Sequence, residues 1–313
     1  QAKPKQKPNK NKTKINMVQA VQLGQVQDQL KSRKRTQRET EDVNSSDIDI
    51  SSTDDEAGEK DSDDEDEDGN DNIVNIDFDF FNANKEVDFH ALKTLLRQLF
   101  GKEESNKLQL SALADLVLDA CATTTIKCEG KESDPYCFFS LIDYQENKNS
   151  DYVQYLQKVD MRLKTFFQTL ESAGNKKAAL VLSERFINMP PEIVPPLYRI
   201  TLEDASNSLQ ASAATSQTSR DHYDFYVFVS RKYEINFDAD EDVDVVDNNT
   251  KGKRTKQATQ IDYFHPEDQF LEKYAKINFD GKSNKGIIPS YIIIDHAGLV
   301  KAIDDLDAAI ATW

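Results

Sequence analysis

Four histidines and three cysteines supply most of the side chains that could ligate a metal or attack a substrate: His90, His222, His265 and His296, with Cys121, Cys128 and Cys137. A zinc clamp needs thiolates and imidazoles at short, paired spacings, and these cysteines do not have them. An odd cysteine count in a chain of 313 residues also argues against a disulfide framework. The expected state is three reduced thiols, Cys121 and Cys137 within apolar segments, in a reducing compartment. No histidine neighbours either of them to draw off a thiol proton. His90, beside Phe89, reads as a packing or capping residue. Asp295-His296 has the form of a base and its orienter, but no nucleophile motif accompanies it. The Gly-x-Ser-x-Gly elbow and the His-Glu-x-x-His zinc helix are both absent. Gly281-Lys282-Ser283 resembles the end of a phosphate loop but lacks the upstream glycine, and reads as a polar turn. The residues therefore predict no catalytic site, no metal and no cofactor.

The elements available to position these residues alternate between strands and helices. Val74, Ile76, Phe78 and Phe80 alternate with polar residues, the period of a half-buried strand over 73–81. A helix over 86–100 follows, with Asp88 as its cap and Gly101 as its stop. A second helix is expected over 108–120. Strands follow at Thr123–Lys127 and Tyr136–Asp143, then a single long helix over 151–171. The apolar run Ala178–Leu182 predicts a central strand. Pro190 and Pro191 fix a turn, because neither fits a central strand or a helix interior. A helix over about 192–212 comes next, and then the β-branched and aromatic strand Phe225–Ser230. Helix Asp268–Ala275, strand Ile287–Ile294 with Pro289 suited to an edge, and helix Leu299–Ala311 complete the series. This order predicts an α/β fold, a central mixed sheet flanked by helices. It occupies residues 72–313 as one domain, with an insertion at about 238–256 read as a mobile excursion.

Residues 1–71 carry almost nothing to bury and are expected to be disordered. Met17-Val18-Gln19-Ala20 reads as a natural start. Lys31, Arg33, Lys34 and Arg35, continued by Arg38, form the short basic address that nuclear import carriers read. Between Asp54 and Asp71 twelve residues are acidic and only Lys60 is basic. Ser46, Ser51, Ser52, Thr53 and Ser62 each have an acid three residues on, the pattern that acidophilic kinases of the casein-kinase-2 type recognise; the alternative is an unmodified solubilising tail. The whole chain carries a formal charge of -17. Such a chain repels phosphate backbones, which disfavours direct nucleic-acid binding and favours basic protein partners. No apolar stretch is long enough to cross a bilayer as a helix, so no membrane partner is expected. Phe186, Ile187 and Met189 lead into the proline turn as an apolar exit from a strand. They are candidates for a partner contact, or else for burial beneath the next helix. Glu184 and Arg185, just before them, are expected to pair with each other.

Three segments carry a family likeness: 72–81 (NIVNIDFDFF), 87–93 (VDFHALK) and, above all, 179–192 (ALVLSERFINMPPE). They resemble the BCCIP-like family of eukaryotic nuclear proteins, over about residues 17–313, and the basic-then-acidic lead from Lys31 to Asp71 is most similar to its fungal members. The resemblance implies a fold like that of the GNAT acetyltransferases, used without catalysis. It also implies a chaperone for a basic large-subunit ribosomal protein (universal number fourteen) in 60S biogenesis, and a role in nuclear export of a phosphoinositide kinase. Partners would then include the transport machinery, with a nuclear location and shuttling to the cytoplasm. The Gln/Arg-x-x-Gly-x-Gly/Ala cradle for acetyl-CoA pyrophosphate is absent from this chain. An acyl-CoA-dependent enzyme and a general acidic histone chaperone are the competing readings.

Overall fold

The computed structural model describes residues 76–213, 220–235 and 260–312. The basic cluster, the acidic run and the insertion at 238–256 lie outside them.

Among the described residues eight strands form one mixed sheet: β1 (Asp79–Asn82), β2 (Ala122–Lys127), β3 (Cys137–Asp143), β4 (Ala178–Arg185), β5 (Phe225–Ile235), β6 (Gln260–Tyr263), β7 (Ile277–Asp280) and β8 (Ile287–Asp295). The order across the sheet is β1-β2-β3-β4-β5-β8-β7, with β6 attached to β5. Among the described strands only β4 and β5 run parallel. Helices cover both faces. One layer holds α1 (Phe89–Ser105), α2 (Leu110–Leu118), α3 (Tyr144–Asn147), α4 (Asp151–Val159) and α5 (Met161–Ala173). The other holds the 3₁₀ turn Pro191–Ile193, α6 (Val194–Ala213), α7 (Asp268–Lys273) and α8 (His296–Ile310).

The sheet feeds both cores by strand alternation. Phe138 and Ile142 of β3 and Leu180 and Leu182 of β4 pack with Leu95, Leu96 and Phe167 in the first layer. Phe139, Leu141, Ala179 and Val181 pack with Leu197, Tyr198, Leu299 and Ile303 in the second. Strands buried on both faces read as continuous apolar runs, which is why 178–182 looked central.

Several boundaries differ from expectation. Strand β1 pairs only from Asp79, because its partner β2 ends opposite at Lys127. The helix expected over 151–171 is two, broken at Asp160, whose extended backbone (φ -151°, ψ 145°) and side chain cap α5 through the Arg162 N–H. Asp88 does not cap α1 with its side chain. That carboxylate instead takes a fully buried ion pair from Lys127 at 2.6 Å and the Asn84 N–H at 2.8 Å. Gly101 does interrupt α1, at φ 69° and ψ 173°, and a further helical turn follows it. Pro289 lies within an interior strand, paired to Arg231 on one side. On the other side the Gly281 N–H donates to the Pro289 carbonyl at 2.7 Å, and the return bond that proline cannot make falls where β7 ends.

Candidate interaction site

Strands β4 and β5 pair over only four positions, from Ala178↔Phe225 to Val181↔Phe228. Beyond them the two strands part. Strand β8 occupies the other side of β5, so β6, paired from Lys232↔Tyr263 to Ile235↔Gln260, takes up the side that β4 has left. The segment after β6 then runs into the opening: the Phe264 N–H donates to the Arg231 carbonyl at 3.2 Å, and His265, Glu267 and Asp268 are all buried there.

The filling is ionic rather than apolar. Glu184 of β4 accepts from His265 Nε2 at 2.6 Å, Arg231 Nη2 at 2.7 Å and Gln98 Nε2 at 3.1 Å. Arg185 grips Glu267 with two bonds, Nε to Oε1 at 2.9 Å and Nη2 to Oε2 at 3.0 Å. Its third arm, Nη1, donates to the Met189 carbonyl at 2.7 Å. The Arg231 guanidinium lies 4.5 Å over the Phe264 ring, and the Ser230 hydroxyl donates to Asp268. Glu184 and Arg185 are thus not each other's ionic partners. Neighbouring positions on a strand point to opposite faces, and each finds its counter-charge across the opening.

Burial drags His265 down, but the Glu184 carboxylate outweighs it and holds the imidazole above its ordinary value. Burial would raise Glu267, yet the Arg185 bonds keep it below the usual carboxylate range. Asp268 is pushed up to about 7, first by burial and then by the Glu267 charge. Shifted acids and bases in one place resemble an active site. Here they are spent on one another inside a filled opening.

The network also holds a surface feature. The Phe186 N–H donates to the Tyr136 carbonyl at 3.1 Å, and the Met189 N–H closes a turn onto the Phe186 carbonyl at 3.0 Å. The rings of Tyr136 and Phe186 meet edge to face, 5.7 Å between centroids. Met189 is buried, Phe186 half-buried and Ile187 75 % exposed. Of the three apolar candidates the turn therefore presents Ile187 and part of Phe186, joined by Tyr136, which sequence reasoning missed. Met189 serves as the root that anchors the turn.

The remaining candidates are scattered. Lys31, Arg33, Lys34, Arg35, Ser46, Ser51, Ser52, Thr53 and Ser62 lie outside the described residues. His90 is exposed at the start of α1, edge-on to Phe89. Asp295 caps α8 through the Gly298 N–H at 2.9 Å, while His296 stacks on His222 with centroids 4.1 Å apart and shares a 3.1 Å bond with the Tyr226 hydroxyl. All three cysteines are free, and burial raises each thiol. Among the described residues no group of three or more His, Cys, Asp or Glu is placed to hold a metal ion. Gly281-Lys282-Ser283 lies in the connection between β7 and β8.

A mixed α/β sheet with an opening filled by its own charged side chains, and a braced apolar turn beside it, defines a binding scaffold. The BCCIP family model matches residues 73–271. Protein BCP1 of Saccharomyces cerevisiae is 61 % identical over 244 residues, covering 77 % of this chain and 83 % of that protein. Protein BCP1 of Candida glabrata is 58 % identical over 240 residues, with the same coverage of 77 % and 83 %. The crystal structure of the Saccharomyces cerevisiae protein superposes with a TM-score of 0.62 at 55 % identity, covering 80 % of this chain and 96 % of that one. The chain belongs to the BCCIP family, whose members act as non-enzymatic chaperones and adaptors.

Proposed function

We propose that this protein binds and shields a basic large-subunit ribosomal protein, universal number fourteen, on its way into the 60S particle, and that it supports nuclear export of a phosphoinositide kinase. It would work in the nucleus and shuttle to the cytoplasm with the transport machinery. The observation that carries a binding role is the sealed opening between β4 and β5. Glu184, Arg185, Arg231, His265 and Glu267 fill it with mutual bonds and hold an exposed apolar turn rigid beside it. The formal charge of -17 supports a basic client. A free ribosomal protein exposes a cationic surface shaped for RNA, and an acidic folded partner competes with RNA for it.

We read the scaffold as GNAT-like, with the place for a cofactor taken by protein. An acyl-CoA enzyme on this sheet would need an open cleft, and the segment from Phe264 to Asp268 occupies the gap where β4 and β5 diverge.

Calorimetry with the purified ribosomal protein tests the reading, at 0.15 M and 0.5 M salt, using the full chain and a chain lacking 54–71. Binding by both that survives the higher salt is expected, since screening weakens exposed charge pairs far more than a desolvated interface. Binding that vanishes with the acidic run, or at high salt, would make the protein a general acidic sink. Saturable binding of acetyl-CoA would revive the enzymatic reading.

A further inference from the structure

We propose that the surface formed by Tyr136, Phe186 and Ile187, with the acidic β2–β3 loop at its rim, is the docking site for a basic client segment: an apolar side chain flanked by lysine or arginine. This rests on the chaperone reading above and says where on the fold the client sits.

Ile187 is 75 % exposed, and this exposure is not the result of a slack loop. The turn is closed by the Met189–Phe186 bond, tied to β3 by the Phe186–Tyr136 bond, and held from beneath by Arg185 on the Met189 carbonyl. Pro190 and Pro191 stiffen its exit. A rigid, exposed apolar residue next to an aromatic pair is the composition of an interface anchor, because little conformational freedom is lost on binding.

Charge selects the occupant. The loop from Cys128 to Pro135 enters Tyr136 directly and carries exposed Glu129, Glu132 and Asp134 against a single base, Lys131. Lys131 reaches only Glu132, at 3.7 Å. An apolar anchor bordered by a loop with three exposed carboxylates against one lysine fits a basic protein segment, and repels an acidic peptide or a nucleic-acid strand.

The test is calorimetry of full-length Ile187→Ser and Tyr136→Ser against the same ribosomal protein, with Val300→Ser as a control. Val300 is 40 % exposed on α8, where it lines a cavity with Leu202, Glu203, His222 and His296 and with none of the turn residues. Ile187 lies at the surface, so its variant should unfold like the wild type, while Tyr136→Ser loses the ring contact with Phe186 and should lower Tm by a few degrees yet stay folded in the assay. Truncating an anchor should weaken binding about 10–30-fold, while the control keeps wild-type affinity. The triple variant E129Q/E132Q/D134N should bind more weakly and with less dependence on salt. Wild-type affinity in both Ile187→Ser and Tyr136→Ser would overturn the docking site and leave the chaperone reading standing. No binding by the wild-type chain would overturn that reading and this site with it.

Discussion

Arg185→Met is the most informative single change in the sealed opening. It removes two bonds to Glu267 and one to the Met189 carbonyl while leaving a side chain of similar length. Both partners are almost fully buried, at 5 % and 4 % exposure, so Glu267 would be left as a charge with no guanidinium beside it. Breaking a buried pair from one side costs about 3–5 kcal/mol. His265 still faces Glu267 electrostatically, which places the expected loss near the lower end, at about 3 kcal/mol. For a domain of this size each kcal/mol lowers Tm by about 2–4 °C, so the midpoint should fall by about 6–12 °C. The companion Arg185→Met/Glu267→Met removes both charges, and apolar replacement of a whole pair is often neutral. Thermal unfolding followed by far-UV circular dichroism at one pH reads both variants. A shift below about 2 °C in the single variant would refute the argument that the pair holds the opening shut. So would a double variant no more stable than the single one.

Three further outcomes follow from the same structure. His265 is held above its ordinary pKa, so its contribution is complete below that value and is lost as pH rises through the folded one; Asp268, raised to about 7, keeps a proton the unfolded chain has shed and acts in the same direction. Urea unfolding at pH 6 and pH 8.5 should show the wild type losing stability on the alkaline side and His265→Gln losing less; equal losses in the two would sink the assignment. Gly101→Ala should cost about 1–3 kcal/mol, since φ 69° with ψ 173° is a region only glycine enters freely; chemical denaturation measures it, and an unchanged midpoint would mean the backbone can relax there. Asp160→Ala should remove about 1 kcal/mol by freeing the Arg162 N–H that starts α5, and amide exchange should quicken first at that end of the helix if the cap is what separates α4 from α5.

The strands β2, β3, β5 and β8 could be read from the sequence because each is a compact run rich in β-branched and aromatic residues, and β4 because it opens on an unbroken apolar run, Ala178–Leu182. The break at Asp160 could not, since the apolar positions of α4 and α5 continue across it with helical spacing. The visible hint was an aspartate one residue before Met161, a cap position that the periodicity masked. The apolar turn was legible as a proline-bounded exit from β4. Which of its side chains would face outward depends on Arg185 capturing the Met189 carbonyl, a contact with no local signature. The charge network was the least legible part. Glu184 and Arg185 stand together in sequence, and pairing them was the natural expectation, but their counter-charges His265 and Glu267 lie 81 and 82 residues further on. Only the parting of two parallel strands creates the space in which these residues meet, and no local pattern encodes it.

The late origin of the seal has a consequence for how the protein is made. Glu267 leaves the ribosome 82 residues after Arg185. At about 5–20 residues per second that gap lasts about 4–16 s. Throughout it, β4 can pair with β3 while Arg185 waits without Glu267 at the rim of an unfinished sheet, and Glu184 gains Arg231 only 47 residues after itself. The nascent chain therefore passes through a stage with an open, charged notch. Its closure is set by translation past α7 rather than by the folding speed of the N-terminal half. Slow codons between β5 and α7 would lengthen that exposure without changing a single residue of the finished protein.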